Sequence, residues 1–455
     1  MTEPSRPAID VGKSIDEGPW TTFQKLGVLL AALSIVLDGF DGQLIGYAIP
    51  VIIAEWGVSR EDFVPVVMAG LVGMGVGSAI AGYVCDRYGR RPAIIGSVLL
   101  FGVATSSIGF SENLATIALL RFLAGLGIGG ALPTCTTLSA ELTPVRRGTL
   151  AITGTIVCVP LGGMLAGIYA GYILPVFGWR VLFWLGGALP ALVSIVLMVF
   201  LPESPRFLVR RQERWGELRG LLQRMSRPAG RDAVFVDAAE QKLEHKAGLR
   251  ALFQGDRLRD TLALWIAFFL SLFSVYTAFS WLPTMLASEQ LNIAIQTGGL
   301  TAYNLGGVLG ALLCAVAITR LGSRVPIALA CAGGALSAFI LQNTPTGDTT
   351  LLILGLGLHG LFVNGAQSTM FVLCAHVYPT NVRATGTAAA MAFGRLGAIL
   401  SAYAGAAIIT AGGADAYFGM LGIAMTGVLI ALMVVKNHVP ALGRALATRP
   451  ATAPN

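Results

Sequence analysis

Twelve long apolar stretches take up most of this 455-residue chain. A helix needs about 20 residues to cross roughly 30 Å of hydrocarbon, and most of the stretches reach that length. Backbone polar groups inside a bilayer must be satisfied within the segment, so each stretch is predicted to be a helix. The predicted spans, numbered 1 to 12, are residues 24–52, 63–84, 93–111, 114–140, 149–173, 180–200, 261–287, 298–320, 325–343, 349–376, 384–411 and 414–435.

The distribution of charge predicts how these spans are oriented. Only 12% of the residues are charged, whereas a soluble protein averages about 25%. Most Lys and Arg residues fall in loops on one side of the spans, which the positive-inside rule places in the cytoplasm together with both termini. Arg60 and Arg180 fall on the other side, and Arg121 and Arg395 lie within spans. The net charge of +7 therefore reflects topology, and no nucleic-acid partner is predicted. Residues 1–22 show no cleaved signal peptide.

The order of apolar and polar segments predicts two similar halves. A cytoplasmic tail (1–22) precedes a six-helix half (23–201), a polar central loop (202–260), a second six-helix half (261–436) and a cytoplasmic tail (437–455). Gly77–Ile94 aligns without gaps on Gly310–Ile327. Such repeats are typical of transporters whose site lies between the repeats near the bilayer midplane. The predicted fold class is an all-α membrane protein whose halves are related by pseudo-two-fold symmetry.

Two acids interrupt the first span. Asp38 and Asp41 flank Gly39 and Phe40 in the middle of an otherwise apolar helix. A charged side chain there costs at least ~2.5–3.5 kcal/mol on insertion scales. Residues three apart differ by roughly 60° around a helix, so both carboxyl groups share one face. They are either neutral hydrogen-bonding groups with a structural role or a site that handles protons inside a transporter.

Four motifs carry a family resemblance over residues 20–440. GYVCDRYGRR at Gly82–Arg91 resembles the signature loop of the major facilitator superfamily, and RFLAGLGIGG at Arg121–Gly130 is similar to its helix 4 motif. ELTPVRRG at Glu141–Gly148 and PESPRFL at Pro202–Leu208 resemble its other markers. The resemblance implies a conformational gate on the cytoplasmic side. Its predicted residues are Gly82, Asp86, Arg87, Gly89, Arg90 and Glu141.

The acid motif in span 1 narrows the resemblance. Asp38–Asp41, with WLPT at Trp281–Thr284 and GRLGA at Gly394–Ala398, is similar to the aromatic acid:proton symporters, such as bacterial 4-hydroxybenzoate and benzoate transporters. In that family a Thr often follows the second acid, whereas Gly42 and Gln43 follow here. The resemblance implies a protein of the bacterial inner membrane that uses the proton gradient and needs no cofactor.

Two arginines within spans are the predicted partners of anions. Arg121 in span 4 lies at a depth similar to that of Asp41, and it is predicted to pair with Asp41 or Asp38 in proton coupling. Arg395 in span 11 has no acid near it on its own helix. Its guanidinium fork matches a carboxylate, which makes it the candidate receptor for an anionic ligand. The alternatives are helix–helix bonding through backbone carbonyls for Arg395 and a structural or gating role for Arg121.

Aromatic and amide side chains in the second half complete the predicted substrate site. Rings would stack on an aromatic substrate and amides would bind its hydroxyl groups, although each aromatic residue also suits ordinary packing. The candidates, together with Arg395 and Arg121, are Phe279, Trp281, Tyr303, Asn304, Asn364 and Gln367.

These observations predict a proton-coupled symporter that imports an aromatic monocarboxylate such as 4-hydroxybenzoate, protocatechuate or benzoate by alternating access. It would act as a monomer in the bilayer. A proton-coupled exporter of drugs or organic cations is the alternative, and a transporter-like sensor is a further one. Neither a nucleophile–base pair nor a metal-ligand spacing occurs among the His and Cys residues, so no enzyme and no metal are predicted.

Overall fold

A computed structural model describes residues 8–230, 233–237, 252–253, 257–378 and 382–441. Parts of the predicted central loop (238–251) and of the C-terminal tail (442–455) therefore lie outside the described residues. The predicted division into two halves at residues 202–260 stays a prediction.

Helices dominate the part of the chain that the structure describes. They are α1 (Val11–Glu17), α2 (Thr22–Trp56), α3 (Val64–Tyr88), α4 (Arg90–Ile108), α5 (Leu114–Leu142), α6 (Val145–Phe200), α7 (Pro205–Val209), α8 (Trp215–Arg224), α9 (Arg257–Ser288), α10 (Ile293–Leu321), α11 (Arg324–Gln342), α12 (Thr349–Val377) and α13 (Arg383–Val434). Short 3₁₀ turns stand at Glu61–Phe63 and Gln212–Arg214, and short strands β1 and β2 at Ala8–Asp10 and Val234–Val236.

Ten of the described helices are long and apolar enough to cross a membrane. Two of them are bent pairs. Helix α6 has 56 residues, and at 1.5 Å per residue it would be about 84 Å long, more than twice the ~30 Å hydrocarbon core. The helix bends at Gly178, where φ is 74°, a backbone conformation that glycine adopts without steric strain. Helix α13 turns likewise at Gly412 and Gly413. Each turn falls between two predicted spans, so the multi-pass helical fold predicted from the sequence is confirmed.

Contacts between residues divide the chain into two compact units. The first unit contains Met1–Gly42, Val72–Gly162 and Phe183–Lys246, and the second contains Gln43–Leu71, Gly163–Leu182 and Ala247–Asn455. Helix α2 contributes residues to both units, because the boundary falls directly after Gly42.

A small polar layer lies at the N-terminal end of the first unit. Strand β1 pairs in parallel with β2 of the central loop. The Asp16 carboxylate accepts a hydrogen bond from the backbone N–H of Val145 at 3.1 Å, and so caps the start of α6, where Pro144 offers no side-chain cap. Arg227 donates to the carbonyls of Ile15 and Pro19. The N-terminal segment is therefore bonded to the central loop and to the α5–α6 turn.

The segment after α13 is bonded to the second unit in a different way. Buried Asp260 accepts from the backbone N–H of Lys436 and from the side chain of Asn437, both at 3.2 Å. Ser323, between α10 and α11, exchanges backbone and hydroxyl hydrogen bonds with Val439, and its hydroxyl lies 3.2 Å from Nδ1 of His438. These bonds fix the chain from Lys436 to Val439 against the α10–α11 turn.

Candidate transport site

The two acids of span 1 are buried in the first unit on a closely packed part of α2. Asp41 is 0% exposed and Asp38 is 7% exposed. Between them stands Gly39, where a Cβ would overlap the carbonyl oxygen of Val159 in α6. A Cβ on Gly162 would likewise overlap the carbonyl oxygen of Val36. The acids are thus positioned at a helix crossing that glycines make possible.

Arg121 interacts electrostatically with Asp41, and its role in proton coupling stays a prediction. It is the charge that acts most strongly on the Asp41 carboxylate, and Thr105 is the neighbouring hydroxyl. Arg121 Nη2 donates to the carbonyl of Gly42 at 3.4 Å. Both carboxylate oxygens of Asp41, and Nε and Nη1 of Arg121, are buried without a hydrogen-bond partner among the described residues. The two side chains therefore interact through their charges, without a hydrogen bond between them.

Asp38 lies on the same face and acts electrostatically on the thiol of Cys135 in α5. Ser34, about one helical turn before Asp38, donates its hydroxyl to the carbonyl of Leu30 on the same helix. Asp41 is the more deeply buried of the two acids, and its charge acts on Arg121.

Arg395 lies in the second unit at the end of a row of aromatic rings. Its Nη1 donates to the hydroxyl of Tyr276 at 2.6 Å, and its guanidinium carbon lies 5.6 Å from the centre of that ring. The row continues from Tyr276 to Phe279 at 5.8 Å, to Tyr303 at 6.1 Å and to His359 at 5.9 Å between ring centres. A guanidinium followed by edge-to-face rings can bind a planar carboxylate that carries an aromatic ring.

The other predicted substrate residues differ in how their polar atoms are used. Asn304 is fully hydrogen-bonded to Gln43 and to the carbonyl of Leu300. Asn364 donates to the carbonyl of Gly360 at 3.1 Å. Gln367 accepts a short hydrogen bond from the Ser271 hydroxyl.

Three buried donors in this group are without a hydrogen-bond partner in the described part of the chain. They are Nε2 of Gln367, Nε1 of Trp281 and the hydroxyl of Tyr303. Trp281 is 0% exposed and packs against Gly405 of α13, so its ring contributes to the helix interface. Buried groups of this kind are normally satisfied by water or ligand.

Three of the predicted gate residues, Gly89, Arg90 and Glu141, belong to one network in the first unit. Arg90 pairs with Glu141 at 3.0 Å. The backbone N–H groups of Arg90 and Arg91 donate to Glu203 at 2.9 and 3.2 Å. At Gly89, φ is 108°, and a Cβ there would overlap the Glu203 carboxylate. Burial raises the pKa of Glu203.

The remaining gate residues lie at the surface of the unit. Arg87 donates to the hydroxyl of Tyr83 at 2.8 Å, and its carbonyl accepts from Arg211. Asp86 and Gly82 are exposed. Glu203 is not among the predicted gate residues, although it belongs to the PESPRFL motif.

Comparisons with known proteins identify the family. The sequence model of the Major Facilitator Superfamily matches residues 31–342 and 264–454. A 4-hydroxybenzoate transporter PcaK of Acinetobacter baylyi is 34% identical, with 89% of each chain covered. A gallate transporter of Pseudomonas putida is 33% identical with 98% of each covered. The 4-hydroxybenzoate transporter PcaK of Pseudomonas aeruginosa is 36% identical, with 90% of this chain and 93% of the relative covered.

Solved structures support the fold. A D-xylose-proton symporter superposes with a TM-score of 0.68 at 19% identity, covering 91% of this chain and 98% of that one. The xylose transporter XylE from E. coli, in a partially occluded inward-open conformation, gives 0.71 at 17% identity, with 92% and 99% covered. The helices, the motifs and these relatives together show that the chain belongs to the Major Facilitator Superfamily and, within it, to the aromatic acid:proton symporter family.

Proposed function

We propose that this protein imports an aromatic monocarboxylate together with protons by alternating access. The observation that carries the proposal is the fully buried Asp41, whose carboxylate oxygens have no hydrogen-bond donor among the described residues while Arg121 lies beside it. The relatives named as transporters of 4-hydroxybenzoate, gallate and benzoate support this substrate class.

Asp41 and Arg121 would carry the proton-coupling step. A buried carboxylate is costly unless a counter-charge compensates it. Binding of a proton neutralises Asp41 and removes its attraction for Arg121. The guanidinium is then released toward other acceptors such as the Gly42 carbonyl, from which it already lies at 3.4 Å. Protonation would in this way bias the conformation of the first unit. Asp38, buried on the same face, would tune that step.

Arg395 would receive the substrate carboxylate. The Tyr276 hydroxyl already holds one of its nitrogens, which orients the guanidinium plane for a bidentate ligand. The ring of the substrate would stack along Phe279 and Tyr303. A proton and a substrate can drive the cycle only if each binds one conformation better than the other.

The finer assignments belong to the same proposal. The protein would lie in a bacterial inner membrane with both termini in the cytoplasm, as the basic loops predict. The proton gradient would drive transport, and the protein would need no cofactor and would act as a monomer. Two six-helix halves joined by the central loop would supply the moving parts.

Replacing Asp41 tests the proposal. In proteoliposomes, Asp41→Asn is expected to lose accumulation of 4-hydroxybenzoate driven by a pH gradient and to retain counterflow, because exchange of substrate does not require release of the proton. Asp38→Asn is the matched variant, and it is expected to keep part of the accumulation. Undiminished uphill uptake by Asp41→Asn would refute the role of this acid. Transport of quaternary amines in place of aromatic acids would favour the exporter.

A further inference from the structure

Gln43 and Asn304 form a reciprocal pair of amide hydrogen bonds inside the second unit. Gln43 Nε2 donates to Asn304 Oδ1 at 3.2 Å, and Asn304 Nδ2 donates to Gln43 Oε1 at 2.7 Å. The remaining N–H of Asn304 donates to the carbonyl of Leu300 at 2.9 Å. The two side chains are 2% and 0% exposed. The amide of Asn304 is thus used within the protein on both its nitrogen and its oxygen.

The pair stands where three helices are packed closely. Gly163 of α6 lies directly against the Gln43 amide, and a Cβ there would overlap it. The carbonyl of Gly163 accepts from the Tyr47 hydroxyl at 3.2 Å. One turn further along α6, Gly167 leaves room for both Tyr47 and Thr301. Helices α2, α6 and α10 therefore meet on small residues around a bonded polar pair.

Other contacts of the second unit join further segments on the same predicted side of the membrane. Thr410 of α13 donates to Glu61, before α3, at 2.7 Å. Glu289, at the end of α9, accepts from the backbone of Ala414 at 3.1 Å. The predicted topology places all of these residues on the outer side of the membrane or in the outer half of a span. On that side, segments from the first six spans are bonded to the last six.

The amide pair has only two states of low free energy. A buried amide left without a partner costs about 1–3 kcal/mol, so both side chains must either remain paired or become hydrated together. An interaction of this kind has a closed, dry state and an open, wet state and few states between them. Gln43 is also only two residues beyond Asp41 on the same helix, so movement of α2 at the acid is transmitted to the pair.

We propose that Gln43 and Asn304 form an outer latch, which holds α2 and α10 together when the substrate pathway is closed to the outside and separates when it opens. The proposal rests on the transport function proposed above. It makes Gln43 a positioning residue and assigns Asn304 to the latch, whereas the sequence had made Asn304 a candidate substrate ligand.

Thr297 of α10 provides a reporter for the latch. It is 4% exposed, and its Oγ1 faces Gly171 of α6, 3.3 Å from where a Cβ on that glycine would stand. A cysteine at position 297 would be shielded while α6 and α10 are in contact. Labelling of Thr297→Cys by a membrane-impermeant maleimide, added to the outside of cells, measures opening. Cells carrying the protein without this substitution give the background.

Four latch variants are compared in the Thr297→Cys protein: Gln43→Leu, Asn304→Leu, the double leucine variant, and the exchanged pair Gln43→Asn with Asn304→Gln. The single leucine variants remove hydrogen bonding at similar volume and leave one amide unpaired. Labelling is expected to be about 5- to 150-fold faster, the factor by which 1–3 kcal/mol shifts an equilibrium. The exchanged pair restores a donor and an acceptor on each side and is expected to restore slow labelling.

Labelling of Gln43→Leu and Asn304→Leu at the parent rate would overturn the latch, as would fast labelling of the exchanged pair. Size-exclusion profiles identify variants that do not fold, and the conservative exchanged pair then decides. Labelling is measured without substrate, so it is independent of the substrate class. If labelling follows the latch while no aromatic acid is transported, the proposed function fails and the latch stands.

Discussion

Gly39 and Asp41 combine, in one short motif, a packing requirement and a candidate proton-coupling acid. The acids were predicted as functional because a charge inside an apolar span needs a reason. The glycine between them has a different reason, because the carbonyl of Val159 occupies the space that a side chain would need. Such a requirement depends on the partner helix, 120 positions along the chain from Gly39, so the spacing of residues in α2 gave no indication of it.

The glycine requirement can be tested with a matched pair of substitutions. Gly39→Ala is expected to destabilise the protein by about 1–3 kcal/mol, because backbone must move to admit the methyl group. Gly75→Ala in α3 meets nothing within 4 Å and is expected to be neutral or to stabilise the protein by up to ~1 kcal/mol. Thermal unfolding in detergent compares them. Equal unfolding temperatures for the two variants would contradict the close crossing of α2 and α6.

A second prediction at the residue scale concerns Arg395. Arg395→Gln removes the charge and is expected to weaken binding of 4-hydroxybenzoate about 10- to 150-fold, as for the loss of a charge-assisted hydrogen bond of ~1.5–3 kcal/mol. Arg395→Lys keeps the charge but loses the planar fork, so an intermediate loss is expected. Tyr276→Phe keeps the ring and removes only the hydroxyl that accepts from Arg395. Calorimetric titration measures each, and wild-type affinity in Arg395→Gln would exclude it as the carboxylate receptor.

Whole helices were predicted from the sequence more completely than their ends and connections. The length and apolarity of each stretch identified the spans, and the turns within α6 and α13 fall between predicted spans. The pairing of β1 with β2, and the cap that Asp16 provides for α6, were not predicted. Both join segments more than 100 residues apart, and three-residue strands carry too little pattern to be recognised.

His438, in the segment after α13, leads to a prediction of how the stability of the protein depends on pH. Burial, with a smaller contribution from the charge of Arg324, lowers the pKa of His438 below its usual 6.5. As the pH falls through about 6.5, His438 is protonated in the unfolded chain but remains neutral in the folded protein. The free energy of unfolding therefore decreases on acidification.

His438→Asn removes the titrating group and keeps a polar side chain beside Ser323. Unfolding temperatures measured from about pH 7.5 to about pH 5.5 are expected to fall more steeply for the wild type than for this variant. Parallel curves for the two proteins would show that His438 does not contribute to the acid sensitivity.

At the scale of the whole molecule, the two repeats have the same arrangement of predicted spans but differ in the hydrogen bonds at the starts of α4 and α11. In the first unit, the Glu203 carboxylate binds the start of α4. In the second unit, backbone and hydroxyl groups of Val439 and Ser323 make the corresponding connection at the start of α11. The sequence alignment of the repeats predicted the common plan. It did not predict this difference, because backbone hydrogen bonds leave no trace in residue identity.

The candidate site also contains some residues that the sequence indicates and others that it does not. Charged residues such as Asp41, Arg121 and Arg395 could be proposed as site residues from sequence, since a charge inside a membrane span needs a role. The amide pair could not, because Gln43 and Asn304 are common polar residues 261 positions apart. Their role depends on the packing of three helices, which only the folded chain defines.

Proton movement during substrate uptake tests the central claim most directly. Proteoliposomes that contain a pH indicator are given 4-hydroxybenzoate from outside, with protein-free liposomes and Asp41→Asn as controls for passive entry of the acid. Coupled import predicts acidification of the interior in step with uptake by the wild type, at a rate above both controls. Uptake by the wild type with no proton movement beyond that of protein-free liposomes would contradict it.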